Sequence, residues 1–109
     1  MDFVITFKDL EKTFIVKIVG DIDAYHSATF KQKVMDHLDT VGQKIISMDL
    51  SEVQYIDSAG LGSMVSLIKE SKKRNKEIIL VSMQPQIKKI FEMTKLDKII
   101  KIVDTIEEI

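Results

Sequence analysis

Met48-Asp49-Leu50-Ser51-Glu52-Val53-Gln54-Tyr55-Ile56-Asp57-Ser58-Ala59-Gly60-Leu61-Gly62 changes its hydrophobic period within one short stretch. Lys44 to Leu50 is an apolar run of strand type, whereas from Ser58 onward Leu61, Met64 or Val65, and Ile68 recur at helical spacing. The segment reads as a strand, a connector over Ser51 to Asp57, and a helix from Ser58 to about Lys73. Ser58 stands where an N-cap is needed, with a hydroxyl able to accept from the open N–H groups of the first turn. The same N–H groups lie at the positive end of the helix dipole and can hold a phosphate, and Gly60 and Gly62 leave little bulk around them. Local chemistry therefore leaves two readings of Ser58 open, a helix cap and a phosphate-bearing site.

Upstream, Phe3 to Phe7 and Thr13 to Val19 are β-branched and aromatic runs separated by the polar Lys8-Asp9-Leu10-Glu11-Lys12, the pattern of a hairpin whose second strand ends at Gly20. From Ser27 the spacing of Phe30, Val34, Leu38 and Val41 is helical, with Gly42 as the stop. Downstream, Glu77 to Met83 is a third apolar run. Pro85 suits the first turn of a helix whose inner face is Ile87, Ile90 and Phe91. Ile99 to Val103 forms the last strand, and Asp104 with Glu107 has the spacing of a capping box for a closing helical turn. Strands that alternate with helices predict an α/β domain. Its mixed β-sheet has an N-terminal antiparallel hairpin and parallel crossovers, and packs against the α-helices.

The 109 residues suit one domain over residues 1–109, and 45% hydrophobic with 30% charged residues is the balance of a packed globular chain. The absence of cysteine excludes disulfides and thiolate chemistry and fits a cytoplasmic setting. A net charge of −1 gives no overall attraction to nucleic acid or anionic lipid, so partners are expected to be found by shape. Lys69, Lys72, Lys73, Arg74 and Lys76 end the Ser58 helix, where cations oppose the dipole favourably, and no interleaved aromatics mark a nucleic-acid surface. The start, Met1 to Lys8, has no signal-peptide pattern, and the uncharged run Ser58 to Ile68 is too short to cross a bilayer. A soluble chain without a membrane contact is expected. The methionines, mostly at core spacing, call for no cofactor.

Catalysis by Ser58 would need His26 or His37 as base and Asp23 or Asp57 as orienting acid. A nucleophile elbow also needs glycine two residues before the serine, and Ile56 stands there. His37 reads as a surface side chain in mid-helix and His26 as a loop contact or capping residue. Asp21, Asp23 and His26 lack the spacing of a metal motif, and Gly60-Leu61-Gly62 is not continued as a phosphate loop. No enzyme, metal or cofactor is expected.

Asp57-Ser58-Ala59-Gly60-Leu61-Gly62, preceded by Asp49-Leu50-Ser51, resembles the signature of the STAS domain, shared by anti-sigma factor antagonists and sulfate transporters. Gly20-Asp21-Ile22-Asp23 resembles the first loop of that family and Leu96-Asp97-Lys98-Ile99 its third motif, so the likeness runs from about Phe14 to the C-terminus. The resemblance implies a partner switch. The unphosphorylated antagonist binds an anti-sigma factor, itself a serine kinase, and frees a sigma factor. Phosphorylation of Ser58 ends the complex, and a PP2C-type phosphatase resets it. It also implies a partner face made of Asp21, Asp23, Tyr25 and Ser27 in the loop and Asp57, Ala59, Gly60, Leu61 and Gly62 around the acceptor. The alternative within the family is a cytoplasmic STAS subunit of a membrane transporter or of a larger signalling assembly. Asp21 replaces a frequent glutamate, Tyr25-His26-Ser27 is particular to this chain, and Lys95 replaces a frequent glycine.

Overall fold

Successive side chains of a strand point to opposite faces, and along Thr13–Val19 it is Phe14, Val16 and Ile18 that are buried on one of them. The computed structural model describes residues 2–42 and 44–109, so Met1 of the N-terminal run lies outside the described residues. The strands β1 (Val4–Asp9), β2 (Thr13–Val19), β3 (Ile45–Glu52), β4 (Ile78–Val81) and β5 (Lys101–Val103) form one sheet in chain order. β1 and β2 pair antiparallel, from Val4 opposite Val19 to Asp9 opposite Phe14, and the remaining neighbours pair parallel. The helices α1 (Ser27–Leu38), α2 (Ser58–Lys73) and α3 (Pro85–Met93) each follow a strand and lead back to the next.

One core gathers Phe14, Val16 and Ile18 of β2, Ile46, Met48 and Leu50 of β3, and Ile78 and Leu80 of β4. Onto it pack Phe30, Val34 and Leu38 of α1, Met64, Leu67 and Ile68 of α2, and Ile87 and Phe91 of α3. The other sheet face is covered more thinly, by Ile79, Val81 and Val103 with Ile45, Ile106 and Ile109. β4 is buried along its whole length because it is clothed on both faces, which is why its sequence is an unbroken apolar run.

Several expectations shift by a turn or less. α1 ends at Leu38 rather than at Gly42, since the Thr40 hydroxyl and amide both take the His37 carbonyl. Val41 is buried beyond the helix, and Gly42 makes the turn at φ 63°. β3 runs on to Glu52, so the connector is shorter than Ser51 to Asp57. β5 begins at Lys101, because the amides of Ile99 and Ile100 close back on the Leu96 carbonyl after the 3-10 turn Leu96–Lys98. The closing capping box is Thr105 with Glu108, one residue beyond Asp104 and Glu107, with the Thr105 amide donating to Glu108 Oε2 at 2.8 Å. Lys95 occupies the left-handed region at φ 62°, which accounts for the glycine frequent at that position in the family it resembles. His37 is half-buried rather than a surface side chain, its ring stacked 3.8 Å from that of Phe7. Met48 and Met64 are core residues as their spacing predicts, but Met93 is 73% exposed.

Candidate functional site

The loops that leave the C-terminal ends of β2 and β3 are sewn together, the edge of a parallel sheet where ligand sites collect. Gly20 donates to the Glu52 carbonyl (3.2 Å), Ile22 to the Tyr55 carbonyl (3.1 Å), and Asp57 back to the Ile22 carbonyl (3.3 Å). Ile22 and Ile56 thus extend the parallel pairing by one isolated bridge, and both side chains are buried. This seam sets the loop 21–26 directly against the start of α2.

The helix cap is Asp57, not Ser58. Asp57 has extended backbone angles, and its Oδ1 accepts from the Gly60 amide at 2.8 Å, while Ser58 is already the first helical residue. The carboxylate does the job better than a hydroxyl because it carries a charge to the positive end of the dipole. Its second oxygen, Oδ2, accepts from the Ala24 amide across the seam at 2.9 Å. Ser58 is exposed, and its hydroxyl is left without the capping duty.

The Gly60 amide is the main influence on the Asp57 carboxyl; with the Ala24 amide it outweighs desolvation and holds the group below its ordinary value of 3.8. A depressed folded value means that the contribution of Asp57 to stability is complete above the unfolded value and is lost as pH falls through the folded one. The Asp57 carboxyl carbon is therefore expected to titrate below 3.8 in an NMR pH series, with the Ala24 and Gly60 amide shifts following the same midpoint. A midpoint at or above 3.8 would mean that the two bonds do not persist in solution.

The site residues divide by exposure. Ser58, Ala59, Gly62 and Tyr25 are exposed, Tyr25 at 87%. Asp21, Asp23, Ser27, Asp57 and Leu61 are half-buried, and Gly60 is fully buried, so Gly60 shapes the site from beneath and offers no surface. Asp23 is not a free loop carboxylate: its Oδ1 accepts from the His26 amide at 3.0 Å, steadying the entry to α1. His26 holds the N-cap position of α1 without a side-chain cap bond; its ring stacks on Phe3 at 4.4 Å and lies 3.0 Å from Asp23. Sequence reading missed Tyr55, which is 55% exposed between the buried Val53 and Ile56 and stands on the strand side of the seam. An aromatic residue flanked by core positions in a connector is the signal that would have found it.

Asp23 and His26 meet, but among the described residues no three His, Cys, Asp or Glu side chains converge as metal ligands do. Each histidine ring is stacked on a phenylalanine of the N-terminal run, His26 on Phe3 and His37 on Phe7. The basic end of α2 lies at the opposite edge of the sheet, beside a cleft of about 250 Å³. There Lys72 donates to the Ile99 carbonyl at 3.1 Å, Lys76 donates to the Gly42 carbonyl, and Arg74 pairs with Asp39 at 3.3 Å and Glu70 at 3.5 Å. Among the described residues no helix is long and apolar enough to cross a membrane.

The same architecture occurs in proteins already known. The chain is 32% identical over 94% of its length to the anti-sigma-B factor antagonist of Listeria monocytogenes, of which it covers 90%. Its fold matches the crystal structure of a Thermotoga maritima protein with a TM-score of 0.87 at 30% identity, covering 95% of this chain and 89% of that one. Bacillus SpoIIAA, in its phosphorylated form, is like it in fold, with a TM-score of 0.70 at 18% identity over 96% of this chain and 95% of that one. The family model described as the STAS domain matches residues 5–109, the whole of the sheet from β2 onward with every helix packed on it, and the chain belongs to that family.

Proposed function

We propose that the chain is an anti-sigma factor antagonist switched by phosphorylation of Ser58. Unphosphorylated, it binds an anti-sigma factor that doubles as its serine kinase and so releases a sigma factor. The phosphorylated form lets go, and a PP2C-type phosphatase restores it. The observation that carries this reading is an exposed serine at the first turn of α2 whose capping duty has been taken over by Asp57. Such a hydroxyl can be modified without removing a bond from the fold. The likeness to the Listeria antagonist, nearly end to end, supports the same role.

The contact face in this reading is the rim around Ser58. Ala59 and Gly62 present the helix start, Tyr25 and Tyr55 stand proud on either side of the seam, and Asp21, Asp23, Ser27 and Leu61 fill the ground between. Exposed tyrosines are effective anchors because they bury a large rigid ring and retain a polar tip. Incubation with the cognate anti-sigma kinase and ATP is expected to add one phosphate, located on Ser58 by peptide mass mapping. Phosphate on Ser27, Ser63 or Ser66 instead would overturn the assignment.

A further inference from the structure

We propose that Asp57 is a positioning residue: it holds the loop 21–26 against the start of α2, and through it a charge placed on Ser58 reaches that loop. The biological use of this link rests on the reading of Ser58 as the phosphoacceptor; the link itself concerns any negative charge at that position.

The geometry is that of a strut. Oδ1 of Asp57 accepts from Gly60 at 2.8 Å and Oδ2 from Ala24 at 2.9 Å, so one carboxylate joins the first turn of α2 to a loop thirty-three positions earlier in the chain. Among the described residues no other side chain hydrogen-bonds to both. Both partners are backbone donors, which requires two acceptor oxygens. An asparagine offers one and turns an N–H toward the other donor, and a serine keeps the near bond but is too short for the far one.

Ser58 is the next residue in the chain, and it opens on the same end of the helix. A negative charge there stands beside an ionised carboxylate, and like charges this close disfavour one another. The bond to Gly60 lies within the helix's own first turn and is the harder to give up. The bond to Ala24 reaches out to a loop and is the one that yields. Ala24 sits between Asp23 and Tyr25, so loosening it shifts residues of the contact face without disturbing the sheet. The depressed carboxyl value agrees with this, since the Gly60 and Ala24 amides are among the donors that favour the charged form.

The test needs only the full chain and no kinase. Amide hydrogen exchange and amide shifts of Ala24 are compared in wild type, Ser58→Glu, Asp57→Ser and the double variant. Ser58→Glu is expected to lower Ala24 protection about fivefold, the scale of a weak coupling between sites. Asp57→Ser should lower Ala24 protection by itself, leave the interior amides of α2 protected, and abolish the further response to Ser58→Glu. A purely structural role would make the two effects add. If Ala24 responds to Ser58→Glu equally with and without Asp57, the proposal is overturned. Should Asp57→Ser fail to fold, Asp57→Asn, which keeps the size and one acceptor, gives the same comparison. The outcome is independent of where a kinase places its phosphate, so this proposal and the assignment of Ser58 fail separately.

Discussion

A Gly60→Ala variant is expected to lose about 3 kcal/mol of stability or more, at the upper end of what a single added methyl costs in a close-packed place. A Cβ at Gly60 would lie 2.0 Å from the Ile22 carbonyl oxygen, 2.9 Å from its carbon and 2.8 Å from Ile56 Cγ1. None of these can step aside cheaply. Ile22 is wholly buried, its carbonyl accepts from Asp57, and its amide is held by Tyr55, so retreat of the loop opens the seam. Retreat of the helix pulls the Gly60 amide from Asp57. In a domain of this size each kcal/mol moves the melting temperature by about 4–8 °C, so the loss is plain in a thermal scan.

Gly62, two residues on, is the control that separates structure from recognition. A Cβ there meets nothing within 4 Å. On an exposed turn of α2, Gly62→Ala should raise stability by about 0.5–1 kcal/mol, because alanine loses less backbone freedom on folding. Gly60→Ala melting within a degree or two of wild type would mean that loop and helix are not closed on each other as described. A more stable Gly62→Ala with weaker partner binding would show that Gly62 keeps the helix start bare for the partner.

These two glycines also show where a sequence is informative and where it is silent. The apolar positions of β2 and of the three helices follow from periodicity, because burial on one face imposes period 2 or 3.6 on the chain itself, whereas β3 and β4 show as short unbroken apolar runs. Phe30, Val34, Ile87 and Phe91 therefore sit in the core as their spacing requires. The seam between Ile22 and Ile56 could not be placed in this way. It is made by backbone groups and by one side chain acting across thirty-three positions, and no local pattern records such a contact. For the same reason the cap position is ambiguous in sequence: Asp57 and Ser58 are both good cap residues, and only the extended backbone at Asp57 decides between them. The helix neighbours of His37 predict a solvated side chain, but its stacking partner Phe7 comes from β1, far off in the chain. The two glycines look equivalent in Gly60-Leu61-Gly62, and tertiary structure alone makes one indispensable.

Binding of the anti-sigma partner by the Ser58-phosphorylated chain is expected to be several hundredfold weaker than by the unmodified one, a loss of about 3–4 kcal/mol. Two mechanisms compete, refolding of the antagonist and an unchanged fold with a hostile surface. A phosphoserine adds roughly −1.5 to −2 charges near neutral pH. At the first residue of α2 that charge meets the positive end of the dipole, which favours anions by about 0.3–1 kcal/mol, so the fold tolerates it. Ser58→Ala is likewise expected to change stability by less than about 0.5 kcal/mol, because the cap it would have removed belongs to Asp57. The penalty falls on the complex instead. If the partner is the serine kinase proposed above and the phosphate is buried beside its nucleotide phosphates, like-charge repulsion and lost hydration both oppose the complex. Titration calorimetry at fixed salt against the anti-sigma factor separates the cases. Ser58→Asp should bind much more weakly than wild type while melting close to it, and Ser58→Ala should bind normally and resist release by ATP. Equal affinity of Ser58→Asp and wild type would sink the electrostatic block. A large fall in the melting temperature of Ser58→Asp, or amide shifts that spread from the start of α2 and the loop 21–26 into the sheet, would make refolding the mechanism.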